Sequence, residues 1–313
     1  MKPDILIIGS SNTDMVIQAE RLPAAGETIL GGRFFMNPGG KGANQAVAAA
    51  RLGGHITFIA KTGNDIFGRQ SLQLFNAEGI NTSHMLSDLE NPSGVALITV
   101  DKNAENCIVV ASGANASLSE KDLLPAKTVI ENAGIILMQL EIPLETVRFV
   151  AQMAAEKGVM VVLNPAPACI LPAGLLNQIS VITPNEKEAE MLTGIGVDNM
   201  ESARRAAQKI KDQGVETVII TLGSKGALLF HENEYTHVPG CVVKAIDTTA
   251  AGDVFNGALV VALSEGKNMQ ESTRFACQAA AISVTKLGAQ ASAPYRKEVD
   301  EFRDAGKYPL AIK

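Results

Sequence analysis

Six short apolar runs recur along the chain: "ILII" at 5–8, "ITFIA" at 56–60, "GIILMQL" at 134–140, "VMVVLN" at 159–164, "VITP" at 181–184 and "TVIITLG" at 217–223. Runs of this length suit strands buried on both faces. Between them, "ANQAVAAARLGG", "GRQSLQLFNAEG", "PLETVRFVAQMAAEKG" and "ESARRAAQKIKDQG" have helical composition, and several close on glycine as helix C-termini often do. The alternation predicts an α/β fold with a mostly parallel sheet covered by helices on both faces.

Two regions interrupt the alternation. Around 11–37 and 91–112, "MVIQAERLPAAGETILGGRFFMN" and "NPSGVALITVDKNAENCIVVASG" read as short strands joined by turns. The expected division is an α/β core of residues 1–10, 38–90 and 113–313, with 11–37 and 91–112 as a small β lid. Such a lid would lie over the sheet's carboxyl edge, where open α/β folds bind ligands.

Composition narrows the function classes. With 46% hydrophobic and 19% charged residues the chain is globular, and a net charge of −6 argues against a nucleic-acid surface. The four cysteines, Cys107, Cys169, Cys241 and Cys277, form no CxxC pair, so neither a disulfide framework nor a zinc site is expected. Neither a signal-peptide core nor a run of membrane-spanning length is found, and a cytoplasmic location is expected.

Two glycine-containing clusters draw attention. In "KAIDTTAAGDVFNGALVVAL" (244–263), small polar residues lead into an apolar helix, so N–H groups near 250–253 lack helical partners and attract anions. Asp253 is then a carboxylate beside an anion site, either a plain cap on free N–H groups or a participant in the anion's chemistry. In "NPGGKGANQAVAAARLGG" (37–54), glycines permit close approach to a ligand, and Lys41 and Asn44 supply polar contacts at a helix start. A tight turn feeding an Ala-rich helix is the plain alternative. Neither the P-loop spacing nor the G-x-G-x-x-G fingerprint occurs.

Together, "GSSNTD", "NPGGKGAN", "TPNEKEAE", "TLGSKGA" and "IDTTAAGDVFNGAL" occur in the order and approximate spacing of ribokinase-like sugar kinases. Over essentially its whole length the chain resembles the PfkB carbohydrate kinase family, most of all its ribokinase branch. The resemblance implies a ribokinase-like three-layer αβα sandwich with a small β-sheet lid, and a homodimer formed through that lid. It implies transfer of the γ-phosphate of ATP to the terminal hydroxyl of a sugar, with D-ribose giving D-ribose 5-phosphate as the leading expectation. Kinases for 2-deoxyribose, fructose or a nucleoside are the alternatives, followed by a non-catalytic sugar or nucleotide sensor on the same scaffold.

Family resemblance further assigns Asp253 as the base for the sugar hydroxyl, with the N–H groups of Ala250, Ala251 and Gly252 as the anion hole. Hydrogen bonds and the helix end are expected to keep Asp253 ionised and weakly basic. Asn12, Asp14, Gly40, Lys41, Asn44 and Glu141 match sugar-binding positions, and Thr13 stands between two of them as a possible influence on sugar choice. Asn185 and Glu188 match the pair that organises Mg²⁺ and phosphates, largely through water. Thr221, Gly223, Ser224 and Gly226 match the nucleotide loop, and Cys277 stands where relatives often carry His or Asn near the adenine. For K⁺ the matching positions are Asp247, Thr249, Ser283, Lys286, Gly288 and Ser292, several through carbonyls, Lys286 necessarily so.

Overall fold

The computed structural model describes residues 4–103 and 105–304. Residues 1–3, 104 and 305–313, which the expected division assigns to core or lid, lie outside the described residues. In chain order the first elements are β1 (Ile5–Ile8), β2 (Asn12–Gln18), β3 (Arg33–Gly39), α1 (Lys41–Arg51), β4 (Ile56–Ile59), β5 (Lys61–Gly63), α2 (Ile66–Ala77) and β6 (Leu86–Asp88). There follow β7 (Gly94–Val100), β8 (Asn106–Ala111), α3 (Glu120–Leu123), α4 (Lys127–Asn132), β9 (Ile135–Met138), α5 (Leu144–Ala155), β10 (Met160–Leu163) and β11 (Val181–Ile182). The last third holds α6 (Glu186–Thr193), α7 (Met200–Lys211), β12 (Thr217–Thr221), β13 (Gly226–His231), β14 (Glu234–Pro239), α8 (Ala251–Ser264), α9 (Met269–Ser283) and α10 (Arg296–Asp304).

Eight strands form the main sheet in the order β14-β13-β12-β11-β10-β9-β1-β4. Pairings from β4 to β12 are parallel, and the β13–β14 hairpin extends one edge antiparallel. All six predicted strand runs are strands, whereas this hairpin was not anticipated. The layers follow from the two-residue period of a strand. Along β1, Ile5 and Ile7 enter a core shared with α1, α8 and α9, while Leu6 and Ile8 enter one shared with α4, α5 and α7. The result is an αβα sandwich, as expected. No helix among the described residues is long and apolar enough to cross a membrane.

A second, four-stranded sheet has the order β3-β2-β7-β8. The chain reaches it directly from the carboxyl end of β1 and leaves it through Gly40 into α1. Gly40 has φ 89°, and a Cβ there would lie 2.7 Å from the Asn12 backbone nitrogen, so only glycine allows this turn to close. Alternation along β2 puts Asn12, Asp14 and Val16 on one face and Thr13, Met15 and Ile17 on the other. Thr13 therefore points away from the face that carries Asn12 and Asp14. This corrects the reading of Thr13 as an influence on sugar choice. The opposite face continues from Ile17 to Phe34 and, through Met15, to Met36, Leu97 and Val109, and is largely exposed in the single chain.

Candidate active site

The carboxyl ends of the parallel strands, the start of α1 and the start of α8 converge on Asp253. Helix α8 opens at Ala250 in the left-handed region, φ 59°, which costs a non-glycine residue about 1–2 kcal/mol. Val254 N–H closes the first helical turn onto the Ala250 carbonyl at 2.9 Å. Ala251 N–H is turned back to the Thr248 carbonyl at 3.2 Å, so the anion-hole positions do not all present equivalent donors. Gly252 faces open space: a Cβ there would meet nothing within 4 Å.

Asp253 is buried, and both its oxygens are held by neutral amides of α1. Asn44 Nδ2 donates to Oδ2 at 2.9 Å and Gln45 Nε2 donates to Oδ1 at 3.0 Å. Burial pushes the carboxyl above its ordinary range, while the Lys41 ammonium and the two amides pull it back only in part. Here the structure corrects the expectation of a weakly basic carboxylate. Desolvation outweighs the hydrogen bonds, and the group is a better proton acceptor than an exposed Asp.

Around it stand the other predicted sugar positions. Glu141, just beyond β9, accepts from Ser10 Oγ at 2.5 Å and from Lys41 N–H at 3.0 Å. Asp14 is raised to about 6, first by burial and then by the neighbouring carboxylates of Glu141 and Asp253. Lys41 answers them: burial would lower its pKa, but Asp253, Glu141 and Glu188 together hold it above the usual value. It is no plain surface charge. Asn12 is fixed by Asn115 Nδ2, which donates to its Oδ1 at 2.8 Å. Asn44 Oδ1 is buried and accepts no hydrogen bond among the described residues, leaving an acceptor for a ligand hydroxyl.

Across the start of α8 lies a cavity of about 480 Å³. Asn185, Thr221, Gly223, Ser224, Gly226, Gly252 and Cys277 all line it. Its apolar walls, including Val243, Phe255, Ala280, Ala281 and Val284, were not anticipated. Burial pushes the Cys277 thiol up to about 12 and that of Cys241, also in the lining, to about 11, so both present neutral, weakly polar surface. Glu188 is buried and closes a reciprocal helix cap with Asn185: each side chain accepts the other's N–H, at 2.9 and 2.8 Å.

The residues matched to a cation site divide into two kinds. Asp247 accepts from Thr249 N–H at 2.9 Å, Thr249 Oγ1 at 2.6 Å and Gly288 N–H at 2.8 Å, which ties the 247–249 turn to Gly288. Burial raises its pKa, but these bonds outweigh burial and hold it below the usual carboxylate range. Ser283 and Ser292 are fully buried, and their hydroxyls donate to the Ala280 and Ala289 carbonyls of their own turns. Lys286 Nζ is committed to Glu298 at 2.6 Å, which agrees with only its carbonyl being on offer.

Sequence reasoning missed Ser10, Gln45, Asn115, Gln139 and Asn164. Two carry a visible signal, because Gln139 and Asn164 are polar residues closing the apolar runs "IILM" and "MVVL".

The comparisons agree with the fold. The family model described as pfkB family carbohydrate kinase matches residues 2–296. A ribokinase from Haemophilus influenzae is 49% identical over 302 residues, covering 96% of this chain and 99% of that protein. A deoxyribokinase from Salmonella typhi is 37% identical over 300 residues, covering 96% and 98% respectively. The structure of Arabidopsis thaliana ribokinase complexed with ribose and ATP has a TM-score of 0.90 at 34% identity, covering 96% of this chain and 98% of that one. With its matched domain, its sandwich fold and a buried aspartate at the start of α8, this chain belongs to the pfkB family of carbohydrate kinases.

Proposed function

We propose that the protein transfers the γ-phosphate of ATP to the terminal hydroxyl of D-ribose, giving D-ribose 5-phosphate and ADP. The observation that carries this reading is the position of Asp253, buried between a cluster of hydroxyl-binding groups and a cavity of nucleotide size. Asp253 takes the proton from the hydroxyl as its oxygen bonds to the γ-phosphorus. The bond from that phosphorus to the β–γ bridging oxygen breaks, and its electrons leave with ADP. Open N–H groups at the start of α8, Gly252 foremost, stabilise charge on the transferring group. Asn12, Asp14, Lys41, Asn44 and Glu141 hold the sugar hydroxyls.

The 2-deoxyribose reading is kept second because of the deoxyribokinase relative. A pocket built to hydrogen-bond a hydroxyl rejects an analogue lacking it far more strongly than it rejects an added group. A sensor without turnover is disfavoured by the retained buried carboxylate.

Two cations fit the residues present. Asn185 and Glu188 suit a hydrated Mg²⁺, since each Glu188 oxygen takes one bond from Asn185 and keeps a lone pair for water. Bound there, Mg²⁺ would neutralise charge on the nucleotide phosphates. Asp247, held ionised, and the backbone carbonyls of Thr249, Ser283, Lys286, Gly288 and Ser292 would supply hard oxygen donors to K⁺, which would order the loop that leads to Asp253. The exposed apolar face of the second sheet supports a homodimer formed through that sheet, and a cytoplasmic location fits the free cysteines.

Asp253→Asn is expected to lower kcat by about 10²–10⁴ while ribose still binds by calorimetry; near-normal turnover would remove the assignment. Across ribose, 2-deoxyribose, fructose and adenosine, kcat/KM is expected to be highest for ribose, and a clear preference for another acceptor reassigns the substrate. Hydroxyl binding to Asp14 favours its ionised form, so kcat/KM for ribose should fall as pH drops through about 6. In Asp14→Asn the limb should change, leaving only the part that Asp253 contributes; an unmoved limb there would show that Asp14 is not its source. Rates in K⁺ should exceed those in tetramethylammonium severalfold, and equal rates would exclude the cation site. Sedimentation at micromolar concentration should show a dimer, with a monomer counting against the sheet interface.

A further inference from the structure

Beyond the groups that would touch substrate, the carboxyl ends of two neighbouring strands are wired to Asp253 through one side chain. Gln45 is fully buried. Its Nε2 donates to Asp253 Oδ1 at 3.0 Å and to Asn164 Oδ1 at 3.1 Å, and its Oε1 accepts from Gln139 Nε2. Gln139 immediately follows β9 and Asn164 immediately follows β10, adjacent strands in the sheet. We infer that Gln45 is a positioning residue for phosphoryl transfer, locking the Asp253 carboxylate in one orientation and coupling it, through Gln139 and Asn164, to the rigid edge of the sheet.

The chemistry of the groups sets the direction of this chain. An ionised carboxylate only accepts, so Gln45 must turn its NH₂ toward Asp253. Its carbonyl then faces Gln139, which must present an NH₂ in turn. Gln139 Oε1 is left at the tail of the chain, buried and accepting nothing among the described residues. Every polar group of Gln45 is used, and the aligned amides place their positive ends toward the carboxylate, where each polarises the next. Asn44 holds the other oxygen, so the side chain cannot rotate about its terminal bond without breaking a bond at each end. Mislocating a reacting group by about 1 Å costs on the order of 100-fold in rate, which is what such a clamp prevents.

This inference rests on Asp253 being the base. Gln45→Met keeps the volume and removes the hydrogen bonds. Steady-state assays with ribose, ATP and Mg²⁺ should show kcat lower by about 10- to 100-fold, with KM for ribose and for ATP within about twofold. The acid limb of kcat against pH should move to higher pH, because the ionised form of Asp253 loses a donor. The charged groups facing Asp253 are Lys41 from α1, Glu141 beyond β9, Asp14 from β2 and Glu188 from α6, and all are unchanged in this variant. Gln139→Met, which does not touch Asp253, should cause a smaller loss in the same direction, and that loss should vanish in the Gln45→Met background.

A kcat within about twofold of the parent in Gln45→Met overturns the inference. So does a rise in both KM values with an unmoved acid limb, or an additive effect of the two substitutions. If Gln45→Met does not fold, Gln139→Met decides: a shifted limb with unchanged KM supports the chain, and an unmoved limb overturns it. An inactive Asp253→Asn beside a normal Gln45→Met sinks only this inference, whereas an active Asp253→Asn sinks the base assignment itself.

Discussion

Much of this structure follows from the need to bury one carboxylate beside a helix start. Removing an ionised group from water costs several kcal/mol unless hydrogen bonds and an opposite charge compensate. For Asp253 the compensation comes almost wholly from the first turn of α1, through Lys41, Asn44 and Gln45. That requires the two helices to lie nearly backbone to backbone. A Cβ at Gly257 would come within 2.7 Å of the Gln45 carbonyl, and the α1 face beside it is formed by Ala48 and Ala49. The alanine-rich helix and the glycine one turn after Asp253 are two sides of one packing requirement.

The same arrangement divides the site by charge. On one side, Asp14, Glu141 and Asp253 surround the ammonium of Lys41, a surplus of acceptors suited to neutral hydroxyls. On the other, the cavity wall combines glycine backbone, alkyl groups and neutral thiols with the polar side chains of Asn185, Glu186, Lys187, Thr221, Ser224 and Thr248, and the open end of α8 lies between. The carboxylates on the first side repel a polyanion, whereas the second side offers it the open start of α8. Asp253 sits where the two meet, which is where a hydroxyl and a phosphate must be brought together.

What was legible in the sequence, and what was not, divides along physical lines. Parallel strands buried on both faces are continuous apolar runs, so β1, β4 and β9 to β12 announce themselves. The β13–β14 hairpin does not, because β13 opens directly on the glycine loop and β14, "EYTHVP", is a largely polar strand at the sheet's edge. Thr13 misled because a chain motif treats neighbours alike, whereas a strand sends them to opposite faces. The raised pKa of Asp253 depends on burial, which no local pattern reports. Gln45 escaped notice because its partners Gln139, Asn164 and Asp253 stand 94, 119 and 208 positions away.

The second sheet ties the site to the outside of the molecule through one strand. Asp14 and Thr13 are neighbours on β2, so the face carrying Asp14 and the exposed face carrying Met15 and Ile17 are separated by no more than the strand's own pleat. Asp14 also contacts the glycine turn: a Cβ on Gly39 would lie 2.4 Å from its carboxylate. A partner that packed on Ile17, Phe34, Met36 and Leu97 would therefore bear on the backbone that positions Asp14 against the hydroxyl cluster. Through Gly40 it would also bear on the start of α1, and so on the amides that hold Asp253.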